Sequence, residues 1–141
     1  MDIESDEKIN YYISNDWIKF LNHFNDNPLP IIIKEKKYTK IAFGFDFNQS
    51  LDNLPNYITY LHFSDNFNQP INNLPLSIES IYLGKGFNQP LDFLPEGIKK
   101  IIITNNNYQY DLMNLPKSVN NLRVKKSFKG KTNIKYIYYD D

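Results

Sequence analysis

A twenty-residue repeat limits what this chain can fold into before any other property is weighed. Phe47-Asn48-Gln49-Ser50-Leu51 returns as Phe67-Asn68-Gln69-Pro70-Ile71 and again as Phe87-Asn88-Gln89-Pro90-Leu91. Each copy is followed at fixed distance by Leu-Pro, at Leu54-Pro55, Leu74-Pro75 and Leu94-Pro95. An apolar triplet at spacing i, i+3, i+5 comes next: Ile58, Leu61, Phe63; Ile78, Ile81, Leu83; Ile98, Ile101, Ile103. A fourth, degenerate copy over 108–127 has Tyr108 for the Phe and keeps Leu112, Leu115-Pro116, Val119, Leu122 and Val124, and Phe128 opens a partial copy over 128–141 that ends on Ile134, Ile137 and Tyr139. Tyr38, Ile41 and Phe43 form one more triplet ahead of the first full copy, so six triplets predict six strands. The full copies span 47–66, 67–86 and 87–107.

Twenty residues cannot bury a core alone, so each copy must stack on the next. The second half of each triplet, as in Tyr60-Leu61-His62-Phe63, alternates outward and inward, which is the signature of a short strand with one buried face. Equivalent strands then run parallel, and the prolines keep the return segments extended or turn-like. The prediction is an α+β repeat protein: a short β-solenoid like a leucine-rich repeat over residues 31–141, with a helical N-terminal cap over residues 1–30. Phe47, Phe67, Phe87, Tyr108 and Phe128 are expected to stack as an aromatic spine, with burial of each worth roughly 1.5–3 kcal/mol. Asn48, Asn68 and Asn88 are expected to form a ladder of buried amides that satisfies backbone groups between coils.

The cap rests on Ile9, Ile13, Trp17, Phe20, Leu21 and Phe24, whose spacing fits the buried stripe of a helix and puts Trp17 in the core. Pro28 and Pro30 are expected to end that helix, and Ile31-Ile32-Ile33 to form a buried strand or partial coil before the charged turn at 34–37.

The motifs resemble the FNIP repeat family, a relative of the leucine-rich repeats, through Phe-Asn-Gln-Pro and Leu-Pro-x-Ser-Ile. Residues 47–103 carry the resemblance best, with Ser50, Phe93 and Gly97 as departures. It implies an interaction protein without catalytic machinery. Such repeats occur in social amoebae and in giant viruses of amoebae, where the cytoplasm, for a virus that of the host, is the implied location. Viral relatives often carry an F-box ahead of the repeats, which implies an alternative role as a substrate-recognition adaptor of a ubiquitin ligase. Residues 1–30 lack the early Leu-Pro and the spaced leucines of that motif.

Composition narrows the function further. Sixteen Lys+Arg against sixteen Asp+Glu removes the global charge that drives binding to nucleic acid or anionic membrane. The absence of cysteine excludes disulfides and thiolate metal sites. No apolar stretch approaches the length of a membrane span, and no secretory leader is present, so the chain is expected to be soluble and intracellular. His23 and His62 are the only histidines, and neither sits in a pattern that supplies a base with an orienting partner or a metal-ligand set, so neither a catalytic residue nor a cofactor is expected.

The outward strand positions remain. One column reads Ala42, His62, Tyr82, Ile102, Arg123 and Tyr138, and its neighbour Lys40, Tyr60, Ser80, Lys100, Asn121 and Tyr136. Tyr60, His62, Tyr82, Ile102 and Arg123 have the aromatic and Arg content of a protein-binding hot spot. Cross-strand support of the sheet is the alternative role for the same side chains. Charge is unequal along the chain: residues 1–30 hold six acids and two lysines, whereas 117–135 hold seven basic residues and no acid.

Overall fold

In the computed structural model, residues 9–135 and 137–140 are described. Among these residues, eight strands form one sheet in sequence order: β1 (Tyr11–Ser14), β2 (Trp17–Phe20), β3 (Lys40–Ala42), β4 (Tyr60–Phe63), β5 (Ser80–Leu83), β6 (Lys100–Ile103), β7 (Asn121–Lys125) and β8 (Ile137–Asp140). Every pairing from β2 to β8 is parallel, as a stack of coils wound in one direction requires. Lys40, Tyr60, Ser80, Lys100 and Asn121 lie opposite one another in successive strands, which places the repeat in register. The six triplets therefore become β3 to β8, and two further strands come from the N-terminal segment.

The inward side chains form continuous columns. Ile18, Ile41, Leu61, Ile81, Ile101 and Leu122 are almost fully buried in one column. Phe20, Phe43 and Phe63 stack in a second at 5.2 and 5.3 Å, and Leu83, Ile103 and Val124 continue it. In the spine, Phe47 stacks on Phe67 at 5.9 Å, Phe67 on Phe87 at 6.2 Å and Phe87 on Tyr108 at 6.4 Å, each nearly coplanar. Phe128 follows at 6.2 Å, tilted by 38° and only partly buried. These spacings exceed the strand separation of about 4.8 Å because the rings lie on the turn side, beyond the hydrogen-bonded strands.

The motif residues bind coil to coil. Asn68 N–H donates to the Asn48 side-chain oxygen at 2.9 Å, Asn88 N–H to Asn68 at 2.8 Å and Gln109 N–H to Asn88 at 3.1 Å. The Gln69 and Gln89 amides reach back to the same Asn of the preceding coil, at 3.3 and 3.2 Å. The Asn side chains thus accept rather than bridge in both directions, and they do so at the surface: Asn68 is exposed, not a buried amide. The Ser two residues after Leu-Pro also reaches backwards, Ser77 Oγ donating to the Ile58 carbonyl at 2.6 Å and Ser118 Oγ to the Ile98 carbonyl at 2.7 Å. Gly84 shows how closely the turns approach, since a Cβ there would lie 2.5 Å from the Ser64 carbonyl oxygen.

The helical cap is not what forms. Residues 11–20 make an antiparallel hairpin, β1 against β2, whose two-residue turn at Asn15-Asp16 has positive φ at both positions, 48° and 68°. Asn and Asp tolerate that conformation better than other side chains, and it matches the twist of a hairpin. The supposed helical stripe fails because Ile9 is 72% exposed and Ile13 37%. Ile18, Phe20, Phe24 and Asn25 instead repeat the spacing of Ile41, Phe43, Phe47 and Asn48, so this segment is a first coil. Phe24 stacks on Phe47 at 6.2 Å and Asn25 accepts the Asn48 N–H at 2.9 Å, extending spine and ladder by one member each.

The one helix of the described residues, α1 (Leu29–Lys34), lies where a strand or partial coil was expected from Ile31-Ile32-Ile33. Pro28 is its N-cap and Pro30 falls in its first turn, where no backbone N–H is needed, so the prolines start this helix rather than end an earlier one. Only Ile32 of the three isoleucines is buried; Ile33 is 58% exposed. Tyr11 Oη donates to Glu35 Oε1 at 2.8 Å and ties β1 to the end of α1.

Candidate interaction face

The strands present two adjacent outward rows. One runs Trp17, Lys40, Tyr60, Ser80, Lys100, Asn121, and the other Lys19, Ala42, His62, Tyr82, Ile102, Arg123, ending at Tyr138 of β8. Tyr60, His62, Tyr82, Ile102 and Arg123 thus share one face, and all are half-buried. Tyr136, assigned to the first row by its spacing, lies outside the described residues, and for Tyr138 the backbone alone is described. His23 is exposed in the turn after β2, away from this face.

Trp17 belongs to this surface and not to the core. Its ring meets Tyr60 edge-on at 4.8 Å, and the Lys40 ammonium lies 6.0 Å from its centre. A period-two reading of Trp17-Ile18-Lys19-Phe20 places Trp17 and Lys19 outward, a signal that the helical stripe concealed. In the neighbouring row the His62 and Tyr82 rings stack at 4.2 Å.

Packing on the sheet alters the ionisation of both pairs. Burial lowers the His62 pKa from its ordinary value, against the opposing influence of Asp65, so the imidazole is held neutral. Burial also raises the Tyr60 phenol, while its hydrogen bond with Ser80 opposes the shift. Lys19, Lys40, Lys100, Arg123 and Lys125 all point outward from their strands, and no outward position from Tyr12 to Lys125 holds Asp or Glu. A chain of zero net charge therefore carries a strand face that is cationic and aromatic from β2 to β6, with carboxylates such as Asp46, Asp52 and Asp92 between the strands and Asp140 of β8 in register with Lys125.

Among the described residues, no group of three or more His, Cys, Asp or Glu could hold a metal ion. No helix of those residues is long and apolar enough to cross a membrane. The family model described as FNIP Repeat matches residues 47–86 and 87–127. No curated protein matches the sequence.

Proposed function

For a chain that belongs to the FNIP repeat family, we propose a non-enzymatic role in which the outward strand face binds another protein. The observation that carries this reading is the pair of rows in which Trp17, Tyr60, His62, Tyr82 and Ile102 stand among Lys19, Lys40, Lys100 and Arg123 without an interleaved carboxylate. Large aromatic surfaces with Arg are what protein interfaces concentrate at their centres. The charge sign selects a partner with an acidic rim around an apolar patch. Aromatic packing along the strands supports the same function, because rings already fixed against each other lose little freedom when a partner covers them.

The adaptor role is not favoured by the N-terminal segment. Residues 11–34 are built into the sheet and first coil as a hairpin and a six-residue helix, and their apolar side chains Ile18, Phe20, Phe24 and Ile32 are spent on the core.

The test compares wild-type chain with Trp17→Ala/Tyr82→Ala as baits in a lysate of the cells that make the protein. The partner recovered by the wild type should be lost from the double variant, whose circular-dichroism melt stays cooperative. Equal recovery by both baits would remove the strand face from consideration.

A further inference from the structure

The last coil takes a shortcut. Leu112 pairs with Thr132 and Leu122 with Ile137, so the last coil advances five positions, 132 to 137, where the coil before it advances ten, 112 to 122. What the shortcut omits is the Leu-Pro segment, which residues 128–141 do not contain. Among the described residues a groove of about 480 Å³ lies beside the shortcut, with Leu112, Leu115, Val119 and Ile134 inside it and Met113, 40% exposed, on its wall. No residue that lines it belongs to a strand, so the groove is separate from the strand face.

The inner coils show what fits such a place. On the coil of β6, the segment from Asn114 to Val119 is laid down in extended form and held by polar contacts. Ser118 Oγ donates to the Ile98 carbonyl at 2.7 Å and accepts the Gly97 N–H at 3.0 Å, and the Asn114 amide reaches Asp92 at 3.1 Å. Val119 holds the position of Ile98 one coil further on, and no Ser follows Ser127 in the sequence to take the part that Ser118 plays below. The groove thus has the place and the apolar lining that an extended Leu-Pro-x-Ser-Ile segment would fill.

Charge selects among such segments. Lys117 and Lys135 stand at the border, and residues 117–135 hold seven basic residues and no acid. A basic rim around an apolar trough favours an apolar segment flanked by carboxylates. Lys34, Lys36 and Lys37 at the end of α1 make that part of a second copy a poor match.

We propose that this groove binds an extended acidic peptide segment of another protein. The apolar residues of the segment take the place of the omitted Leu-Pro stretch, and its carboxylates face Lys117 and Lys135. It is a second binding site, independent of the strand face.

Fluorescence polarisation with the full chain and the labelled peptide Glu-Asp-Leu-Pro-Glu-Ser-Ile-Asp tests this. Binding should saturate and should weaken as salt is raised. Met113→Asp/Lys117→Glu, both at exposed positions, should lower the affinity roughly tenfold with the circular-dichroism melt retained, whereas Trp17→Ala/Tyr82→Ala on the strand face should leave it unchanged. Lys117→Glu alone should bind Lys-Lys-Leu-Pro-Lys-Ser-Ile-Lys better than the wild type does, a gain that a folding defect could not produce. Absence of saturable binding to the wild type overturns the proposal. Equal binding of Glu-Asp-Gly-Ser-Glu-Ser-Gly-Asp overturns it as well, by showing charge attraction alone. Loss of binding in the strand-face variant would move the peptide to that face, and self-association abolished by Met113→Asp/Lys117→Glu would give the groove to a second copy; either result contradicts the assignment.

Discussion

The first and last coils solve the same problem with opposite success. Both depart from the twenty-residue period, and neither has Leu-Pro at the expected place. The first coil, in which Trp17 faces Lys40, fills the missing side with α1, so Ile32 is completely buried and the spine gains Phe24. Among the described residues the last coil has no helix and no Leu-Pro segment there: Phe128 tilts, Tyr139 is 52% exposed and a groove opens beside Leu112, Leu115 and Ile134. The strand triplet is therefore sufficient to pair a coil with its neighbour, but closing the core needs a second element on the far side. That element can be an extended Leu-Pro segment or a helix.

Removing a ring from the middle of the stack should have the largest effect. Phe67 is fully buried between Phe47 and Phe87, and Phe67→Ala is expected to cost about 3–5 kcal/mol in urea unfolding. The two terminal coils should then separate. Ile32→Ala deletes the plug of the first coil and should cost roughly 2–4 kcal/mol, whereas Ile134→Ala, at the border of an open groove, should cost less than about 1 kcal/mol. Equal losses would mean that α1 contributes no more to closure than the unplugged end does. Asn68→Ala removes the acceptor for the Asn88 N–H and the Gln89 amide, and about 1 kcal/mol should be lost by the same assay.

The smallest effect concerns pH. His62 is held neutral in the folded chain by a lowered pKa, while the unfolded chain takes up its proton near 6.5. The stabilisation is complete above that value and declines as pH falls through it towards the lower folded value. Thermal melts of the wild type should fall more steeply below pH 6.5 than those of His62→Gln. Identical slopes would show that His62 titrates alike in both states.

Most of the central coils could be read directly from residues 38–125, because each inward column is spelled by the same residue type at the same spacing. The two outward rows followed from period-two alternation alone, which is why Tyr60, His62, Tyr82, Ile102 and Arg123 fall on one face. The first coil was harder to see because Phe24-Asn25 lacks the Gln-Pro that marks the other copies, and a stripe of Ile, Trp and Phe at helical spacing competed with it. Asn15-Asp16 was the local signal that favoured the hairpin. Three consecutive isoleucines argued for a strand at α1, and only the geometry of the open side explains why a helix with one buried face forms there. Trp17 fits a helical stripe as well as an outward strand position, and only the alignment of β2 with β3, Trp17 opposite Lys40, puts it on the strand face.

Aromatic NOEs in a chain with isotope-labelled Phe and Tyr rings test the stacked register most directly. Contacts should run in sequence from Phe24 to Phe47, Phe67, Phe87 and Tyr108, with none that skips a coil. Rings of Phe47, Phe67 and Phe87 that show no mutual contacts, or whose signals a soluble paramagnetic probe broadens as it does exposed rings, would contradict the architecture on which the interaction face depends.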